Sequence, residues 1–315
     1  MKALITGITG QDGSYLAEQL LAKGYEVHGL VRRTAIPEDR NISHIKDKLK
    51  LHWGDLQNEQ HLCSLLYSLQ PEEIYNLGGQ SDVRISFDIP EYTGEITGLG
   101  VTRLLEAVRH FSPKSKVLQA SSSEMFGNSP PPQDETTPMI PRSPYGAAKL
   151  YGYNICRIYR EAYGLFVANS ICFNHESPRR GENFVTQKVV KGVVAISRGK
   201  QRVLNLGNLD SLRDWGYAPD YTDAMWRMLQ ARVSDDFVLG TGETRSIKEF
   251  VEQAFRYVSL DWEKYVKIDP AFYRPTEVNL LCANPKKAKK VLSWAPSVWF
   301  EELVRIMMEA ELKRS

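Results

Sequence analysis

The 315-residue sequence predicts an α/β fold, a doubly wound parallel sheet followed by a smaller C-terminal substrate-binding part. Three observations predict it. Short apolar runs alternate with amphipathic stretches through the first half of the chain. A glycine-rich turn joins the first run to the first amphipathic stretch. The length, at roughly 150 residues per domain, suits one large domain or about two smaller ones.

Each element has its own signal. Residues 3–6 form an apolar run that ends in glycines, and 14–23 follow with Leu16, Leu20 and Leu21 at helical spacing. Gly24 stops that helix, and 26–30 reads as a second strand. Residues 49–53 and 73–77 read as strands with a helix at about 58–69 between them. A long helix is expected over 90–110, because Leu99, Val101, Leu104, Leu105 and Val108 fall mostly on one face. Strand 116–121, helix 146–163 and strand 166–172 continue the alternation, which implies a parallel sheet covered on both faces. Past 172 the pattern loosens into helical pieces at 185–197, 220–231, 246–257 and 299–313. The expected division is a dinucleotide-binding Rossmann domain over 1–171 and a substrate domain over 172–315, with part of 212–240 returning to the first.

Composition narrows the function classes. Forty Lys and Arg against 38 Asp and Glu give a net charge of +2, no electrostatic case for nucleic acid or an acidic membrane surface. Cys63, Cys156, Cys172 and Cys282 are scattered, without CxxC or Cys/His clusters, so neither a metal site nor a disulfide framework is expected. No run approaches the roughly 18 apolar residues of a membrane span. The N-terminal residues lack the apolar core and cleavage site of a signal peptide. A soluble cytoplasmic protein is the expectation.

Gly7, Gly10 and Gly13 form a GxxGxxG turn between a strand and a helix. Such a turn lets backbone approach a pyrophosphate at a helix N-terminus, although the spacing alone is a weak signal. Binders of NAD place an acid about 20 residues further on, at the end of the second strand. Here that place holds Arg32 and Arg33, which suit the 2′-phosphate of NADP, or else form a solvated basic turn. Asp55 and Leu56 close the third strand, where an adenine would lie against the leucine; Asp55 reads nearly as well as a turn residue.

Tyr145 and Lys149 stand one helical turn apart, so an ammonium near the phenol is expected to lower its pKa. The preceding strand ends in Ser121, Ser122, Ser123 and Glu124, at the sheet edge that faces ligand in such folds. A dehydrogenase needs only the Ser, Tyr and Lys. Glu124 is either a surface acid or a second proton-transfer group, of the kind a dehydratase requires.

The segments ITGITGQDGSYLAEQLL, QASSSEMFG, PRSPYGAAKLYGY, FNHESPRRGENFVTQK, RDWGYAPDY and FYRPTEV are similar to those of the extended short-chain dehydrogenase/reductases and, within them, the GDP-mannose 4,6-dehydratases. The likeness runs from residue 4 to about 278. It implies catalytic roles for Ser122, Glu124, Tyr145 and Lys149. It implies contacts to tightly bound NADP from Gly7, Ile8, Thr9, Gly10, Gln11, Asp12, Gly13, Arg32, Asp55, Leu56, Leu77, Gly78, Gly79, Gln80, Ser81, Tyr92, Lys149, His175 and Arg180. It implies contacts to GDP-mannose from Ser81, Ser122, Glu124, Asn174, Val185, Lys188, Arg213, Arg274 and Glu277.

The implied reaction is redox-neutral loss of water to give GDP-4-keto-6-deoxymannose. The alternatives are a GDP-heptose 4,6-dehydratase, a 4-epimerase or a 4-keto reductase of the same fold, and, from another class, a protein that binds NADP only as a redox sensor. Two departures from the family pattern stand out. Ser122 replaces the usual Thr, and the stretch before FYRPTEV is compact. The resemblance also implies a homodimer or homotetramer, with the basic loop 32–45 contributing to assembly.

Overall fold

The computed structural model describes residues 1–35, 39–273 and 275–314. Arg274, expected to contact substrate, and 36–38 of the basic loop lie outside the described residues.

Strand β1 (Lys2–Thr6) runs into helix α1 (Gln11–Ala22), then β2 (Glu26–Val31), β3 (Lys50–Trp53), α2 (Glu59–Leu69) and β4 (Glu73–Asn76). Helices α3 (Val83–Asp88), α4 (Pro90–Thr93) and α5 (Gly100–Phe111) lead to β5 (Lys116–Ser122), α6 (Pro144–Tyr163) and β6 (Val167–Cys172). The helix expected over 90–110 is three pieces, because a π-helical stretch, Gly94–Leu99, separates α4 from α5. That wider turn has a local use. It brings Thr97 to the loop after β4, where its hydroxyl accepts from Gln80 N–H (3.1 Å) and donates to Gln80 C=O (3.2 Å).

The second half begins with β7 (Asn174–Glu176), α7 (Val185–Ser197) and β8 (Leu204–Leu206). Next come β9 (Leu212–Arg213), β10 (Trp215–Tyr217), α8 (Ala218–Gln230), β11 (Asp236–Leu239) and β12 (Arg245–Ser246). Helix α9 (Ile247–Tyr257), β13 (Val266–Ile268), α10 (Lys286–Leu292) and α11 (Phe300–Arg314) complete the chain.

The central sheet has seven parallel strands in the order β11-β6-β5-β4-β1-β2-β3. Strand order reverses between β1 and β4, so the crevice beyond their carboxyl ends is the place where such sheets bind ligands. One face of the sheet packs on α1 and α8, where Leu16, Leu20, Tyr221, Met225 and Met228 are buried. The other packs on α2, α5 and α6 through Leu62, Leu66, Leu104, Leu105 and Cys156. A separate core joins α7, α9 and α11 through Val189, Val193, Phe250, Phe255, Leu303 and Met307. Three two-stranded ladders, β7 with β10, β9 with β12 and β8 with β13, lie outside the central sheet. No helix among the described residues is long and apolar enough to cross a membrane.

Candidate active site

The first turn is built to admit a ligand's phosphates. Gly7 has φ +69°, and a Cβ there would meet Gly78 N at 2.9 Å. A Cβ on Gly13 would lie 2.3 Å from the Gly7 carbonyl oxygen. Gly10, the N-cap of α1, brings no side chain over the first amides of the helix, so the cradle stays open. Gly78 N–H donates to Thr6 Oγ1 (2.9 Å), whose hydroxyl donates to Asn76 Oδ1 (2.6 Å); this chain fixes the β1 and β4 loops against each other. Gly79 and Ser81 continue the β4 loop, while Ile8 is buried beneath the first turn with Thr9 beside it.

Asp12, in the first turn of α1, pairs with His175 Nε2 at 2.8 Å. His175 Nδ1 faces the Phe173 carbonyl oxygen at 2.7 Å, so both ring nitrogens address acceptors, an arrangement that favours the imidazolium. Burial works against the charge on His175, but the Asp12 carboxylate outweighs it and the pKa is raised. For Asp12, burial is again the largest influence and opposes ionisation; His175 and the Gln11 amide overcome it and the pKa falls. Gln11 Nε2 donates both to Asp12 Oδ1 and to the His175 carbonyl oxygen (3.0 Å each). The dinucleotide turn is thereby tied to β7.

At the far end of the crevice, Arg32 donates to Tyr92 Oη (2.6 Å) and stands exposed beyond β2. Leu56 is buried, with its side chain against Gly78 and Gly100. Asp55 accepts from Gln57 N–H at 3.0 Å, the geometry of a turn residue.

The carboxyl end of β5 collects the remaining chemistry. Ser143 caps α6 by accepting from Gly146 N–H (3.0 Å), and Pro144 starts the helix, placing Tyr145 and Lys149 on its sheet-facing side. A Cβ at Gly146 would lie 2.7 Å from the Glu124 carbonyl oxygen, so glycine after Tyr145 lets α6 approach the short 3₁₀ turn Ser123–Met125. Ser122 Oγ accepts from Glu124 N–H (3.2 Å), and the Ser122 hydroxyl favours ionisation of the Tyr145 phenol. Ser122, Glu124, Tyr145 and Lys149 are all less than a tenth exposed.

One expectation needs correction. Burial pushes the Tyr145 phenol well above its usual value, and the groups that oppose burial are the Ser122 hydroxyl and the Arg180 charge. Lys149 is turned away: Nζ donates to the Ala120 carbonyl oxygen (2.6 Å) and lies 5.8 Å from the centre of the Tyr145 ring. Burial pushes Lys149 itself down to about 8. An amine this enclosed takes the nearest carbonyl, and helical spacing alone does not bring it to the phenol oxygen.

The substrate candidates other than Ser81, Ser122 and Glu124 fall in the second part of the chain. Asn174 is on β7, Val185 opens α7, and Lys188 Nζ sits 3.3 Å from the centre of the Phe272 ring. Arg213 is buried on β9 and donates to the Leu212 carbonyl oxygen (3.0 Å). Glu277 lies in the segment after Phe272.

The family profile described as GDP-mannose 4,6 dehydratase matches residues 4–307. This chain belongs to that family. It is 50% identical to GDP-mannose 4,6 dehydratase 1 of Arabidopsis thaliana, over 99% of this chain and 90% of that one. It is likewise 50% identical to the Homo sapiens GDP-mannose 4,6 dehydratase, over 99% and 91%. The Vibrio cholerae GDP-mannose 4,6-dehydratase is 44% identical over 99% and 94%. Among solved structures, the UDP-glucose 4-epimerase of Thermus thermophilus in complex with NAD superposes with a TM-score of 0.87, at 25% identity and 99% of both chains. The Bacillus anthracis dTDP-glucose 4,6-dehydratase, in complex with NAD, gives 0.86 at 24% identity over 99% and 97%, and shares the fold.

Proposed function

We propose that this member of the GDP-mannose 4,6-dehydratase family removes water from GDP-mannose to give GDP-4-keto-6-deoxymannose, as a hydro-lyase with tightly held NADP. The observation that carries the reading is a second buried proton-transfer group, Glu124, beside the Ser122–Tyr145–Lys149 set. The open glycine cradle fits a dinucleotide, and Arg32 and Arg33 at the end of β2 favour the 2′-phosphate form.

A nicotinamide bound in this cradle would supply the hydride chemistry, a hydride acceptor for oxidation at sugar carbon 4 and a donor for reduction at carbon 6. Tyr145 in its phenolate form accepts the proton of the 4-hydroxyl, and Ser122 holds the 4-oxygen. Lys149 holds the nicotinamide ribose. Oxidation at carbon 4 acidifies the proton on carbon 5. Glu124 removes that proton and delivers one to the hydroxyl leaving carbon 6, which departs as water. Lys188, Arg213 and Arg274 supply the positive charge for the substrate diphosphate, with Asn174, Val185 and Glu277 lining the same part. The same reading assigns a homodimer or homotetramer. Four free cysteines support a cytoplasmic location.

Incubation with GDP-mannose, other GDP-hexoses and a GDP-heptose, with mass detection, tests this. Loss of one water from GDP-mannose is expected. An unchanged mass with an epimerised sugar, or turnover of the heptose alone, overturns it. Ser122, which lacks the methyl of threonine, is the residue that makes the heptose arm worth including.

A further inference from the structure

Glu176 ends β7 almost wholly buried, and no step above uses it. Thr186, in the first turn of α7, donates its hydroxyl to Glu176 Oε2. The same oxygen lies 3.1 Å from Arg180 Nε, an ion pair in which the Nε–H is not aligned for a hydrogen bond. The Arg180 guanidinium carbon sits 3.6 Å from the centre of the Phe184 ring, and the arginine side chain is 16% exposed. Among the described residues, its two terminal nitrogens make no hydrogen bond.

A guanidinium has two useful edges. A carboxylate usually takes the terminal fork, because two parallel N–H bonds form there. Glu176 instead pairs by charge with its nearest atom at Nε, and the Phe184 ring lies against the group. The terminal fork is thus rigid, mostly desolvated and available to an oxyanion. Its charge acts on Asp12 in the first turn of α1, on His175 and on Tyr145, so the arginine stands over the crevice between the glycine cradle and the phenol.

We propose that Glu176 is a positioning residue that, with Thr186 behind it and Phe184 beneath, holds Arg180 by charge pairing so that the terminal fork takes a phosphate oxygen of the bound dinucleotide. This rests on the cofactor reading given above. A buried acid in this place does what a solvent-exposed one cannot: it compensates the arginine charge without occupying the fork.

The test is NADP affinity of the full chain, freed of nucleotide and followed by titration calorimetry, with thermal unfolding measured alongside. Arg180→Met and Glu176→Gln should each weaken NADP by roughly 10-fold or more, the scale of a charge-assisted hydrogen bond. The double variant should be no weaker than Arg180→Met alone, because Glu176 acts only through that arginine. Thr186→Val, which leaves both charges in place, should weaken NADP in the same direction by less. It also serves if Glu176→Gln fails to fold. Additive losses, or a Glu176→Gln or Thr186→Val chain with lowered melting temperature and unchanged NADP affinity, overturn the proposal and leave the cofactor reading standing. A wild-type chain that binds neither NADP nor NAD overturns both.

Discussion

Tyr145 and Lys149 are enclosed by the same walls, and enclosure favours the neutral form of each. The phenol therefore needs help to ionise, and the side chains that give it are Ser122 and Arg180. Glu124 has a different task and a distinct signature. In heavy water the product should carry one solvent deuterium at carbon 5 and none at carbon 6, read by proton NMR. Glu124→Gln should retain nucleotide binding and lose turnover by roughly 10²–10⁴-fold, as for a positioned acid/base. Solvent deuterium at carbon 6 would falsify the assignment.

Arg32→Glu should weaken NADP by about 1.5–3 kcal/mol while affecting NAD much less. Equal losses for the two cofactors would remove the case for the 2′-phosphate. His175 and Asp12 make a pH prediction. The raised pKa of His175 gives stability that is fully present below its ordinary 6.5 and is lost as pH rises through the folded value. The lowered pKa of Asp12 gives stability present above 3.8 and lost as pH falls through its folded value. The melting temperature of the nucleotide-free chain should exceed that of His175→Gln most between 3.8 and 6.5, and the gap should narrow toward alkaline pH. A gap that stays constant from about pH 6 to about pH 9 rules this linkage out.

At the scale of elements, the turn after β1 illustrates how a short motif fixes long-range geometry. Gly13→Ala puts a methyl against the Gly7 carbonyl, whereas a Cβ at Gly24, despite its φ of +78°, meets nothing within 4 Å. Gly13→Ala should abolish dinucleotide binding and cost about 1–3 kcal/mol in urea unfolding, the range of an overpacked core. Gly24→Ala should cost only its backbone strain, about 1 kcal/mol, and leave binding intact.

Elements with strong periodicity were legible from sequence. Helix α7 begins and ends where the 3.6-residue pattern of its valines does, and β1 to β6 follow their apolar runs. The π-helical stretch Gly94–Leu99 was not legible, because an extra residue in a turn leaves the apolar spacing nearly unchanged. Nor was β11, a four-residue run whose place is set by β6 and not by its own pattern. The same holds within the site. Tyr145, Lys149 and Glu124 are visible because spacing and strand ends point to them. Glu176 is visible only once Arg180, four residues on but tied through space to the crevice, is seen to make no hydrogen bond at its fork.

For the whole molecule, the proposed homodimer or homotetramer directs attention to the exposed apolar side chains. Leu99, Tyr151 and Ile158 are large, apolar and exposed on the layer formed by α6 and the segment before α5. Exposed apolar side chains on one layer are candidates for a contact between copies. Light scattering on the purified chain should give twice or four times the monomer mass, and Ile158→Glu should shift that value downward. A fully active monomer at micromolar concentration contradicts the assignment.

Strand β11 carries a further consequence. It fills the open side of β6 from a point well past the glycine-rich half, and α8, just before it, covers the sheet face through Tyr221, Met225 and Met228. Trp294 from near the end of the chain joins the same core. The two halves are therefore stitched, not strung. A fragment ending at 171 would leave β6 as a bare edge and one sheet face stripped of its cover, the conditions under which strands recruit other chains. During synthesis the nascent chain must hold that edge unpaired until the ribosome has delivered β11, so the chain's most aggregation-prone interval comes before its last third emerges.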